Sequence, residues 1–164
     1  MASNHAGGSP EFVELLRSAA EGARRSGLFA RVEQNGSTVE CVPEGVENAA
    51  YRVEVDGGRV FVGWASPDRW MSQSIEAELN WTGDDLQELL ADECRSHGYE
   101  GAPIGQFEHF RSEAKEFVFR NEVPVGKGGP GGARDAERVV QCLLGYEATF
   151  RELGDMRRAA SEEE

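Results

Sequence analysis

Cys94-Arg-Ser-His97 has the most metal-like spacing in the chain, because a cysteine and a histidine three residues apart on a helix can share one ion. His109 is the only other internal histidine, and no second Cys-x-x-Cys or histidine pair completes a four-ligand set. Cys94 also falls on the apolar stripe of its helix, so the segment reads as a buried cysteine beside a helix-end histidine. Cys41 and Cys142 would be nucleophiles only with a nearby histidine and an orienting acid, and both fit core positions instead. The run GKGGPGG at 126–132 precedes a helix whose amides could hold an anion. It lacks the Gly-Lys-Ser/Thr ending and the glycine spacing of a phosphate loop, so a mobile loop is expected. Asp84, Asp85, Glu88, Asp92 and Glu93 lack the alternating oxygen ligands of a calcium loop and read as a solvated helix face. No catalytic residue, metal site or cofactor is expected from these patterns, and the chain reads as non-enzymatic.

Aromatic residues are the stronger signal. Trp64, Trp70 and Trp81 lie on or beside a sheet, where most tryptophans are core. Trp70 is out of phase with the apolar stripe that follows it and is next to Met71, an adaptable side chain. Trp70 and Met71, with Phe117 and Phe119 on a later strand, are the candidate partner-binding residues.

The elements that must position them follow from periodicity. Tyr51, Val53 and Val55 alternate with Arg52, Glu54 and Asp56, and a hairpin loop at Gly57-Gly58 sets Val55 against Val60, Val53 against Val62 and Tyr51 against Trp64. Ile75, Ala77, Leu79 and Trp81 alternate with polar residues and predict a further strand. Upstream, Pro10 to Arg25 predicts a helix with Phe12, Leu16, Ala19 and Ala23 on one stripe and Gly27 as its stop. Asn35-Gly36 predicts a second hairpin, with Val32 opposite Val39, Ala30 opposite Cys41 and Arg31 opposite Glu40. Downstream, residues 83–97 predict a helix burying Leu86, Leu89, Leu90 and Cys94, ended by Gly98. A short strand is expected around Gln106 to Arg111, with Phe107 and His109 on one face and Phe110 on the other. KEFVFRNEVPV at 115–125 predicts a strand with Phe117, Phe119, Asn121 and Val123 on one face and Val118 opposite. The last helix, Ala133 to about Met156, carries Val139, Leu143, Tyr146, Phe150 and Leu153 in a stripe that the sheet or a partner must cover.

These elements predict an α+β protein, an antiparallel sheet of about five to six strands packed by an N-terminal, a middle and a long C-terminal helix. One domain is expected over residues 10–156, between an N-terminal arm at 1–9 and an acidic tail at 157–164, both disordered. The 39% apolar and 29% charged residues suit a soluble globular chain. No apolar run approaches the ~20 residues of a membrane span. The net charge of −13 disfavours nucleic acid and anionic membranes and favours a basic or amphipathic protein partner. MASNHAGGSP is neither basic nor apolar enough for a secretory signal, and three scattered cysteines make no disulfide framework, so a reducing cytoplasm is expected.

The strand KEFVFRNEVPV, the glycine loop and then DAERVVQCLLGYEATFREL resemble the closing strand and final amphipathic helix of the type III secretion chaperone-like fold, which includes bacterial sensory-transduction-regulator-like proteins. The resemblance implies a chaperone-like, often homodimeric protein that binds a partner polypeptide in extended form, through a sheet edge or an apolar groove. The competing expectation is a small-molecule-binding domain or enzyme with a pocket between the sheet and the last helix.

Overall fold

A computed structural model describes residues 10–44, 49–68, 73, 77, 86–113, 115–125 and 133–162, with side chains over 12–44, 49–68, 73, 77, 86–113, 115–125 and 134–151. The chain opens with helix α1, Pro10–Ser26, and two hairpins follow it: β1 (Phe29–Asn35) with β2 (Thr38–Pro43), and β3 (Ala50–Asp56) with β4 (Arg59–Ser66). Helix α2 (Leu86–Ser96), strands β5 (Glu108–Arg111) and β6 (Phe117–Glu122), and helix α3 (Ala133–Glu162) complete it. The strands form one antiparallel sheet in the order β1-β2-β3-β4-β6-β5. This is the expected α+β architecture, with the three helices described in full associated with one face of the sheet.

The hairpins show how turn chemistry sets register. Asp56 pairs with Arg59, and Gly57 and Gly58 both take positive φ (63° and 79°), as a type I′ turn requires. Val55–Val60, Val53–Val62 and Tyr51–Trp64 pair as the sequence predicts. The first hairpin differs. Asn35 pairs with Thr38, so the loop is Gly36-Ser37, and positive φ falls on Gly36 alone. That places glycine first in the loop and slips the register by two residues from the expected one: Val32 opposes Cys41 and Gln34 opposes Val39. A slip of two keeps every side chain on its own face. It does move Glu40 away from Arg31, and Glu40 pairs with Arg52 instead.

The second departure is at β4. The strand expected at 75–81 falls mostly outside the described residues, but Gln73 and Ala77 carry helical backbone. The place beside β4 belongs to β6, with Trp64 opposite Phe119 and Val62 opposite Asn121. Local alternation at Ile75 and Leu79 fits an amphipathic strand, yet a pairing partner from fifty residues downstream takes the position. Gly63 explains how closely the two strands approach. A Cβ there would lie 2.3 Å from the Phe119 carbonyl oxygen and 2.8 Å from Arg120 Cβ.

The core lies between the sheet and the helices. Leu15, Leu16, Ala19, Ala20 and Ala23 of α1 and Val139, Cys142, Leu143, Tyr146 and Phe150 of α3 meet Val39, Val53, Val62, Trp64 and Phe119. Phe150 stacks on Tyr146 and Trp64, and meets Tyr51 and Phe119 edge-on. The stripe of α3 is thus covered internally as far as side chains are described. Residues 145–150 are buried all round the helix. The helix also runs to Glu162 rather than stopping near Met156, so the expected disordered tail is helical up to that point. Arg157, Arg158, Ala159 and Ala160 are good helix formers and give it no reason to stop. Among the described residues, no helix is long and apolar enough to cross a membrane.

Candidate functional site

The residues singled out for chemistry are placed in structural roles. Cys94 is buried against α3, with its thiol 3.9 Å from the Cys142 carbonyl oxygen. The His97 Nδ1–H donates to the Glu93 carbonyl (2.9 Å) beyond the helix end, where Tyr99 N–H reaches the Cys94 carbonyl and Gly98 N–H that of Arg95. The metal-like pair therefore does not converge, and no group of three His, Cys, Asp or Glu among the described residues could hold an ion. Cys41 lies under α1, and burial pushes its thiol up to about 12, far from the thiolate a nucleophile needs near neutrality. His109 stacks on Phe119 at 3.9 Å between ring centroids, and its Nδ1–H donates to the Val118 carbonyl (3.1 Å). The layer between sheet and α3, where a pocket was the competing expectation, is filled by Tyr51, Trp64, Phe119, Tyr146 and Phe150.

Of the four candidate partner-binding residues, Trp70 and Met71 lie outside the described residues, as does the loop at 126–132. Phe119 is 1% exposed and belongs to the core, so it is removed from the binding surface. Its face of β6 is the one that the helices cover. Phe117 is half-buried at the outer end of the same face, beneath the Arg111 guanidinium (5.5 Å to the ring centroid).

The face of the sheet turned away from the helices carries a lattice of charges. Alternation places Glu40, Arg52, Glu54, Phe61, Arg120 and Glu122 on it, with Glu108 and Phe110 from β5. Arg52 binds Glu40 and Glu116 at 2.9 and 2.8 Å. Arg120 binds Glu54 at 3.0 Å, Glu108 at 3.0 Å and Asp56 at 3.3 Å. Arg59 binds Glu122 at 2.8 Å. Burial opposes the charge of Arg120, but the hydrogen bonds it donates to Glu108 and Glu54 outweigh burial and hold its pKa above the ordinary value. Beneath this lattice Phe61 is 2% exposed, with the guanidinium of Arg120 3.8 Å and that of Arg59 5.1 Å from its ring centroid. Six carboxylates meet three arginines in these pairs, so the lattice keeps a surplus of negative charge.

The two edges of the sheet differ. On β2, the Val55 N–H bonds the Ser37 carbonyl, so odd residues face β3 and even residues face β1. By the same alternation the Val32 carbonyl points out of the β1 edge, and Arg24 from α1 donates to it (3.1 Å). With Arg31 and Glu33 exposed beside it, β1 is a blunted edge. The β5 edge carries two of the four large apolar side chains exposed among the described residues, Phe107 at 36% and Phe110 at 38%. The spacing had separated their faces, but only the sheet order shows that β5 is an edge.

What fixes β5 is a buried polar node. Tyr146 Oη–H donates to Asn121 Oδ1 (2.5 Å), and Asn121 Nδ2 donates to the Gly105 carbonyl (2.7 Å) and to Gln87 Oε1 (3.0 Å). Gln87 Nε2 donates to the same carbonyl (3.0 Å), and the Phe107 N–H donates to Gln87 Oε1 (2.8 Å). One asparagine on the apolar face of β6 thereby ties α2, α3 and the approach to β5 together. Compared with family models, with curated proteins and with solved structures, the chain finds no match.

Proposed function

We propose that the protein is a non-enzymatic, chaperone-like interaction module that takes an extended, basic polypeptide segment at the β5 edge and across the adjoining helix-free face. The observation that carries this reading is the pair of exposed phenylalanines, Phe107 and Phe110, beside a surface with twice as many paired carboxylates as arginines. Apolar side chains of the segment would cover Phe110, and its cations would meet Glu108, Asp56 and Glu122. The net charge of −13 acts in the same direction by steering a cationic chain inward. A partner polypeptide is also what the type III secretion chaperone-like resemblance implies.

The test is fluorescence anisotropy with a labelled peptide of alternating lysine and valine, against its glutamate–valine counterpart. The basic peptide should bind, weaken as salt is raised, and lose about five-fold or more in affinity in Phe110→Ala, the scale of a buried anchor of ~1 kcal/mol. Equal binding of both peptides, or of neither, would refute the proposal. Sedimentation covers the other occupant: a homodimer through this edge should dissociate in Phe110→Ala, and a monomer at all micromolar concentrations removes that arrangement.

A further inference from the structure

We infer that Cys94 and Cys142 form a dithiol that a hydroperoxide closes to an intrachain disulfide, linking α2 to α3. This inference is independent of the polypeptide-binding reading. Its first support is the closeness of the two helices at this point. Gly145 lies one turn beyond Cys142, and a Cβ on it would sit 2.8 Å from the Cys94 nitrogen, 2.9 Å from its Sγ and 3.0 Å from its Cα. Its second support is the thiols themselves. The Cys94 Sγ is 3.9 Å from the Cys142 carbonyl oxygen. The Cys142 thiol is also held protonated chiefly by its hydrogen bond to the Cys94 sulfur, ahead of burial, which puts the two sulfurs in contact. The third cysteine, Cys41, lies in the sheet opposite Tyr51 and serves as an internal control.

Both thiols are buried, so the peroxide must reach them when α2 swings away. α2 is an eleven-residue helix packed chiefly on α3 and tied to the sheet by the Asn121–Gln87 hydrogen bond, so the opening breaks that bond and the α2–α3 contact while leaving the sheet intact. In the first step one thiolate attacks the peroxide O–O bond, giving a sulfenic acid and releasing the alcohol, or water when the oxidant is hydrogen peroxide. The second thiol then attacks the sulfenic sulfur; the S–S bond forms and the hydroxyl leaves as water with the thiol proton. Two thiols are oxidised by two electrons and one peroxide is reduced.

The experiment treats the full chain with hydrogen peroxide under native conditions and maps it by non-reducing peptide mass spectrometry. The three free thiols should fall to one, with a Cys94–Cys142 crosslinked peptide lighter by two hydrogens and Cys41 still reduced. Dithiothreitol should restore all three. The oxidised form should melt at a higher temperature, because the closed loop restricts the unfolded chain. Cys41→Ser should still form the bond, and Cys94→Ser should leave no intrachain disulfide. Persistence of three thiols, sulfinic acid at either position, or crosslinks through Cys41 or between chains would overturn the inference.

Discussion

Asn121 is the residue whose role least resembles its place in the alternation. It stands where an apolar side chain would be ordinary, and its three hydrogen bonds make it the joint between sheet, α2 and α3. Tyr146→Phe removes only the hydroxyl donated to Asn121 Oδ1. It should cost about 1–3 kcal/mol, the range for leaving a buried polar group without its partner. Urea unfolding monitored by circular dichroism gives the value, and an unchanged midpoint would mean that water replaces the hydroxyl. Gly63 poses a steric problem of the same size. In Gly63→Ala the added methyl meets the Phe119 carbonyl, which is backbone and cannot rotate aside. Separation of β4 from β6 should cost about 1–3 kcal/mol or more, as overpacking does. The same unfolding curves test it, and a stabilised variant would contradict the close approach.

Two glycines on the helices separate packing from propensity. Glycine to alanine within a helix ordinarily gains about 1 kcal/mol. At Gly22 in α1 the new Cβ would meet Val140 Cγ2 at 2.7 Å, a stiff β-branched side chain but not backbone, so the clash offsets the propensity gain and Gly22→Ala should cost less than the change at Gly145. At Gly145 in α3 it would meet the Cys94 backbone nitrogen at 2.8 Å, so α2 itself must move. Gly145→Ala should therefore lose stability despite the better propensity. It should also raise hydrogen exchange in α2 while leaving α1 protected. If both variants behave alike, the tight α2–α3 crossing is wrong. The edges show the same contrast between elements: Arg24 and charged side chains blunt β1, whereas β5 presents phenylalanines.

For the whole molecule, stability should fall at alkaline pH. Burial raises the thiol of Cys41 to about 12, and Tyr99, also raised chiefly by burial, to about 12. Burial likewise raises Tyr51 and Tyr146. In the unfolded chain these groups ionise near their ordinary values of about 9 for cysteine and 10 for tyrosine, while the folded chain keeps its protons. The unfolded state then binds fewer protons, so the free energy of unfolding decreases with pH. Their contribution is complete below about pH 9 and is lost as pH rises towards about 12. Urea midpoints at pH 8, 9, 10 and 11 should decline over that window, and a flat profile would show that these groups are hydrated. At this scale the division between sequence and structure is plain. The sequence determined what depends on near neighbours: the Gly57-Gly58 hairpin and its register, the stripes of α1 and α3, the alternating faces of β6, and the α+β class. Those follow from backbone geometry and periodicity, which act over a few residues. Only the tertiary structure decided what depends on distant ones. It placed β6 against β4, buried Phe119 while leaving Phe110 exposed, slipped the first hairpin so that Glu40 meets Arg52, and brought Cys94 to Cys142. Alternation says which residues share a face. It does not say which strand lies alongside or which helix lies on top, because several pairings bury similar apolar area and the choice falls to the packing of the whole core.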